Sequence, residues 1–188
     1  MKNIIHTALL VLFLLSSGWI SGKPAEKLPP FRQPLLISSA GQSAEVQSAL
    51  ILAKRAGLKA SLIKSAVKKD LNGFETLALV AGASMKGLGA AGLDITDEKE
   101  RVRRLVDAAG KKEVPILFLH LGGEARRGTL TDDFIKEFVS CAAFVLVVKS
   151  GNKDGIFTEI CRKKNIPLVE VERTVDAVAP LKQCFSGN

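Results

Sequence analysis

Residues 76–81 read Thr-Leu-Ala-Leu-Val-Ala, and residues 82–92 continue Gly-Ala-Ser-Met-Lys-Gly-Leu-Gly-Ala-Ala-Gly. The way these two halves join decides the fold. The first six residues are apolar without alternation, as in a strand covered on both faces. The glycine-rich half ends the strand and leads toward a helix. Working outward, the same grammar repeats. Pro34–Ser38, Leu58–Ile63, Val114–Leu119, Ala143–Val148 and Pro167–Val171 are further short apolar runs.

Between these runs lie segments with helical spacing. Ala44–Ala56 places Val46, Leu50 and Ala53 on one face, with Gly57 as its stop. A short crossover runs through Asp70. A long helix is expected from Asp97, with Glu100 as a capping-box partner. It would turn Val102, Leu105, Val106 and Ala109 inward, and Glu98, Arg101 and Arg104 outward. Thr131–Ser140, Asp154–Lys164 and Val175–Phe185 complete the set. Buried strands alternating with amphipathic helices predict a single α/β unit. Its class is a Rossmann-like or flavodoxin-like doubly wound, mainly parallel sheet of five or six strands with right-handed crossovers.

The amino terminus has a different character. Met1 and Lys2 precede an uncharged apolar run from Ile4 to Trp19, then Ser21 and Gly22. That order is the one found in secretory signal peptides. The expected organisation is a signal peptide over 1–22, a proline-containing linker over 23–33, and the α/β domain over 34–186. An extracytoplasmic location, periplasmic or secreted, follows from it. Membrane contact is then expected only through the signal peptide during export.

The chain carries a formal charge of +8, or +7 without Lys2. A basic balance favours anionic partners. Nucleic acid is excluded by the aromatic content, since there is no Tyr and the one Trp is Trp19, so no stacking platform exists. The pairs Lys68–Lys69, Lys111–Lys112 and Lys163–Lys164 fall near helix ends, where the helix dipole accounts for them. Three cysteines, Cys141, Cys161 and Cys184, are too few for a disulfide framework. Cys161 keeps step with Ile156, Phe157 and Ile160 as a buried thiol, and an oxidising compartment would also permit a Cys161–Cys184 bridge.

In doubly wound sheets ligands bind beyond the carboxyl ends of the strands, where the strand order reverses. The loops at that edge are rich in glycine, hydroxyls and cations: 38–43, 82–92, 120–128 and 149–154. The opposite loops are plain helix stops. Bare backbone amides with fixed positive charge suit an anion. The candidate ligand-binding set is therefore Ser39, Gln42, Ser43, Ser84, Lys86, Gly87, Gly89, His120, Arg126 and Arg127. Glycines that merely permit tight turns are the plain alternative.

Other motifs narrow the chemistry. Gly87 to Gly92 matches G-x-G-x-x-G, but the helix it should open is not expected until Asp97, and the next strand ends in His120 rather than an acid. The stretch lacks G-K-[ST], so it is not a triphosphate loop. The sequence names no cofactor. Ser84 is not in a nucleophile elbow, because Lys86 stands where the second glycine is required. Ser84 and His120 nonetheless form a candidate hydroxyl–base pair. Asp94, His120 and Glu124 show no recognisable metal-ligand spacing, and no metal is expected. The adjacent Arg126 and Arg127 offer fork-shaped donors to a carboxylate or phosphate, unless one of them pairs with Asp132.

At the loops 38–43, 82–92 and 120–128 the chain resembles a family of exported bacterial proteins carrying a domain of unknown function, family number 6305. The resemblance implies export and a single α/β domain. It carries no assigned activity, and so no residue roles.

Three readings follow. The leading one is a domain that binds a small anionic ligand, bearing carboxylate or phosphate, at the carboxyl edge of the sheet. The second is an extracytoplasmic hydrolase or transferase using Ser84 or a bound water, with His120 as base. The third is an envelope scaffold that docks through a basic surface.

Overall fold

Unbroken apolar strands have nowhere to go but the middle of a two-faced sandwich, and the computed structural model, which describes residues 31–186, puts them there. Six strands form one sheet: β1 (Leu35–Ala40), β2 (Ala60–Leu62), β3 (Thr76–Ala81), β4 (Ile116–His120), β5 (Phe144–Val148) and β6 (Leu168–Val171). All pairings are parallel, in the order β2-β1-β3-β4-β5-β6. The four central strands are buried at every residue. The short edge strands β2 and β6 are only partly covered.

Six helices flank the sheet: α1 (Glu45–Arg55), α2 (Met85–Ala90), α3 (Ile95–Lys111), α4 (Thr129–Phe138), α5 (Ile156–Lys164) and α6 (Val178–Cys184). Alternate strand residues feed two cores, as the pleat requires. Leu36 and Ala40 join Val102, Leu105, Phe134 and Phe157 beneath α3, α4 and α5. Leu35 and Ile37 join Val46, Leu52 and Leu181 beneath α1 and α6. Cys161 packs in the first core and Cys184 in the second, so the sheet separates the two thiols.

Four differences from the sequence reading matter. The loop after β3 contains a short helix, α2, capped by the Ser84 hydroxyl, which accepts from the Gly87 N–H at 3.1 Å. The long helix α3 starts at Ile95, with Asp94 as cap and Asp97 as its capping-box partner, instead of Asp97 with Glu100. Glu98 and Arg101 point inward, not outward: the Glu98 side chain is fully buried and that of Arg101 is 9% exposed. Finally, Phe31, assigned to the linker, is fully buried and its backbone N–H donates to the Cys184 carbonyl. Its ring lies 5.7 Å from that of Phe185, and such burial stabilises by about 1.5–3 kcal/mol. Packing of the domain therefore includes Phe31. The expected signal peptide and most of the expected linker lie outside the described residues, among which no helix is long and apolar enough to cross a membrane.

The topology positions the site. From β1 the chain steps to β2 at one edge, then returns past β1 to β3 and proceeds to the other edge. The reversal falls between β1 and β3, so loops 41–44 and 82–84 face each other across the switch point. Gln42 and Ala83 form an isolated antiparallel bridge there.

Candidate functional site

The loop after β1 is held in an unusual shape by a buried ion pair. Glu98, on the first turn of α3, accepts from the Gly41 N–H at 3.0 Å and from Gln42 Nε2 at 3.0 Å. Arg101 grips the same carboxylate with Nε at 2.8 Å and Nη2 at 2.8 Å. Arg101 also donates to the carbonyls of Ser39 and Ala66. One guanidinium thus ties the end of β1 to the loop after β2. Gln42 adopts φ of 60°, a left-handed conformation costly for a residue with a side chain. Strain of this kind persists only where the surroundings enforce it, and it gathers at functional sites.

On the other side of β1 stands Glu45, the first residue of α1. The residue is only 7% exposed. Neither carboxylate oxygen makes a hydrogen bond of full geometry, although the Leu121 and Gly122 backbones approach the group, and Ser39 Oγ and Gln42 Oε1 have no partner. These four atoms, all within residues 39–45, are the unpartnered buried side-chain polar atoms among the described residues. The nearest cation is Arg126, whose Nε lies 3.6 Å from Glu45 Oε1 and whose side chain is 52% exposed. Burial pushes the Glu45 carboxyl up to about 7, against the opposing pull of Arg126 and of the Gly122 and Leu121 backbones. Near neutral pH the group is poised between acid and carboxylate.

Two glycines make this arrangement sterically feasible. A Cβ at Gly122 would collide with both the Arg126 stem and the Glu45 carboxylate, so only glycine lets the two side chains meet there. A Cβ at Gly87 would strike the Gln42 carbonyl oxygen, so α2 presses directly on the strained loop. Ser43 packs beside them: its Oγ accepts from the Glu45 N–H at 3.3 Å. At Gly82, Ser43 Oγ and Glu45 Oε1 lie 2.6 and 3.2 Å from where a Cβ would project. Ser43, Glu45, Arg126, Gly82 and Gly122 therefore converge.

The other candidates are placed differently. Arg127 is engaged in structure: it pairs with Asp132 at 2.6 Å and Asp154 at 2.7 Å, and donates to the Gly151 carbonyl. Asp154 and Asp132 hold the pKa of the Arg127 guanidinium well above its usual value, and Arg127 in turn holds the Asp154 carboxyl down at about 2. His120 is fully buried and stacks on Phe157 at 5.6 Å. Its Nδ1 and Nε2 each lie 3.1 Å from a carbonyl oxygen, of Ala81 and Gly123 respectively. A neutral ring can donate to one of them only. Burial holds its pKa below the ordinary value, aided by Arg127 and opposed by the two carbonyls and Asp132. No hydrogen bond joins His120 to Ser84 among the described residues, and the Ser84 hydroxyl is occupied in capping α2. Lys86 is exposed on α2, and Gly89 faces open space.

Cavities lie elsewhere on the molecule too. The largest of those described, about 630 Å³, sits at the opposite edge beside Val106, Gly110, Pro115 and Cys141. Others line the groove between the turn Lys68–Leu71 and α3, with Lys68, Arg104 and Lys111. None of the unpartnered buried side-chain atoms lies in them. Among the described residues no cluster of His, Cys, Asp or Glu could hold a metal ion.

Sequence reasoning did not single out Glu45, yet a signal was present. Glu45, Ala49, Leu52 and Ala53 recur at helical spacing and are all buried. An acid on that stripe, one residue into a helix that follows a strand-end loop, points at the sheet edge.

The fold and this edge define a class: a doubly wound, all-parallel α/β domain with buried polar side chains at its switch point. The chain belongs to the family described as a domain of unknown function (DUF6305), whose profile matches residues 32–185. No match was found among curated proteins. Solved structures with some likeness include the SGNH-hydrolase family esterase AlinE4, at 13% identity and TM-score 0.33 over 81% of each chain. A GDSL-like lipase from Bacteroides thetaiotaomicron is 8% identical, with TM-score 0.33, over 72% of this chain and 66% of the other. A protein described as a GMP synthase subunit from Thermoplasma acidophilum is 14% identical, with TM-score 0.32. This chain spans 41% of the length of that protein, and 47% of this chain is matched. Likenesses this distant carry no argument about activity.

Proposed function

We propose that this protein is a small-molecule-binding domain whose ligand sits at the carboxyl edge of the sheet, over residues 39–45, and bears an anionic group. The observation that carries this reading is the set of four buried, unpartnered polar atoms on that one segment, beside a half-exposed arginine. Leaving a buried polar group unmade costs about 1–3 kcal/mol, so four on one loop ask for a partner from outside. Arg126, half-exposed and paired with Glu45 at 3.6 Å, and the exposed Lys86 are the cations this edge can turn to a ligand, while Arg127 and Arg101 serve the fold. The leader-like residues 1–22 support export, and with it an extracytoplasmic place of work. The test is a thermal-melt screen of wild type, Arg126→Ala and Lys86→Ala against small phosphates, carboxylates and amino-carboxylates. A compound that raises the Tm of wild type and not of Arg126→Ala is the expected result. Equal shifts in wild type and Arg126→Ala, or no shift at all, would count against the site.

A second reading, a hydrolase or transferase, is favoured by one observation. Glu45 titrates near neutrality, where a proton-transfer group works best. In that reading Glu45 takes the role of base that the sequence offered to His120, and Ser84 or a bound water attacks.

A further inference from the structure

Three of the four unsatisfied atoms at this edge are acceptors only. Glu45 Oε1 and Oε2, when ionised, and Gln42 Oε1 accept hydrogen bonds and cannot donate. Ser39 Oγ can accept as well. An anion alone would bring more acceptors to a place already rich in them. A ligand that satisfies Glu45 must bring N–H donors, and an ammonium group brings three.

A bare cation is no better suited. The Arg126 side chain lies over Glu45, with Nε 3.6 Å from Oε1, and its stem occupies the space that Gly122 leaves open. A cation reaching Glu45 would stand beside that guanidinium. The repulsion is removed if the ligand carries its own negative group for Arg126, whose half-exposed fork is free to turn outward and receive it. The remaining charges of that loop are already matched, since Glu124 pairs with Lys153.

We infer that the ligand is a small zwitterion of the amino-acid class, its ammonium group received by Glu45 and its carboxylate by Arg126. This rests on the proposed binding function and names the substrate class of the same site. Burial offers a second mark. Burial holds Glu45 partly protonated at neutral pH, and an arriving ammonium group favours the carboxylate. Binding therefore releases protons at pH 7, and the released fraction falls toward zero at pH 9.

Isothermal titration of the full-length protein with glycine, β-alanine, 4-aminobutyrate, methylammonium and acetate tests this. The expected result is binding by at least one of the three zwitterions, tenfold or more tighter than either singly charged probe. Glu45→Gln, which keeps the side-chain volume, and Arg126→Ala should each weaken it more than tenfold. Its heat should depend on the ionisation enthalpy of the buffer at pH 7. Acetate binding as tightly as the zwitterions, with Arg126 needed and Glu45 not, would overturn the zwitterion and keep the site. Methylammonium binding undiminished by Arg126→Ala would overturn it from the other side. No heat with any of the five would overturn both the inference and the function on which it rests.

Discussion

Replacing Glu45 by Gln should make the protein more stable at pH 8 and leave it almost unchanged at pH 4. The carboxyl is raised from 4.5 to about 7 because folding buries it, a cost that Arg126 and the Gly122 and Leu121 backbones offset only in part. A group raised in this way favours its acid form in the fold. Its contribution is fully present below pH 4.5 and is lost as pH rises to about 7. The shift corresponds to about 3 kcal/mol at ~1.36 kcal/mol per unit. Above pH 7 the wild type carries that penalty in full, and a neutral glutamine of the same size does not. Urea unfolding of both proteins at pH 4, 6 and 8 reads the difference directly. The wild type should fall behind the variant across the window from 4.5 to 7, and the gap should level off beyond it. A variant less stable than wild type at pH 8 would refute the reasoning, since it would mean that the ionised carboxylate is well paired.

Three further outcomes follow from the same geometry. Glu98→Gln leaves the Arg101 guanidinium buried without its counter-ion, which should cost about 3–5 kcal/mol by chemical denaturation; a cost near zero would mean that the pair does not hold the loop. Gly87→Ala forces a Cβ onto the Gln42 carbonyl and should destabilise by about 1–3 kcal/mol, while Gly89→Ala, which faces open space on the same helix, should stabilise by about 0.5–1 kcal/mol; similar midpoints for the two would contradict the packing. The His120 ring should titrate below the ordinary 6.5 by NMR, so the stability it contributes is present at neutral pH and lost as pH falls through its folded value; a midpoint at or above 6.5 would show that the two facing carbonyls outweigh burial.

Much of the fold could be read from the chain because the central strands advertise themselves. Thr76–Ala81 is bounded in the structure as the sequence indicated, since nothing but a two-sided core accepts six such residues. The order β2-β1-β3-β4-β5-β6 is known only from the structure, since local pattern does not say which strands are neighbours. Charged residues were harder. Glu98 and Arg101 looked like an outward helical face because each alone is polar. Their burial depends on forming a pair that also satisfies Gly41 and Gln42, a condition set by residues 57 positions away. The glycines were read as bare amides for an anion, yet Gly87 and Gly122 serve to let loops and side chains approach closely. Arg127 illustrates the same limit. Its pairing with Asp132 was among the alternatives, while that with Asp154 depends on β5 bringing the next loop alongside. At the carboxyl edge, the buried acid Glu45 was hidden by its resemblance to an ordinary first-turn carboxylate.

The account stands or falls on the carboxyl edge as a binding site, and amide chemical-shift mapping of the labelled protein with glycine, acetate and phosphate reads that edge residue by residue. Perturbations gathered on Gly41–Glu45, Gly82–Ser84 and Gly122–Arg126, and absent in Arg126→Ala, are the result it predicts. Perturbations confined to Lys68, Arg104 and Lys111, or to the cavity beside Gly110 and Cys141, would contradict it.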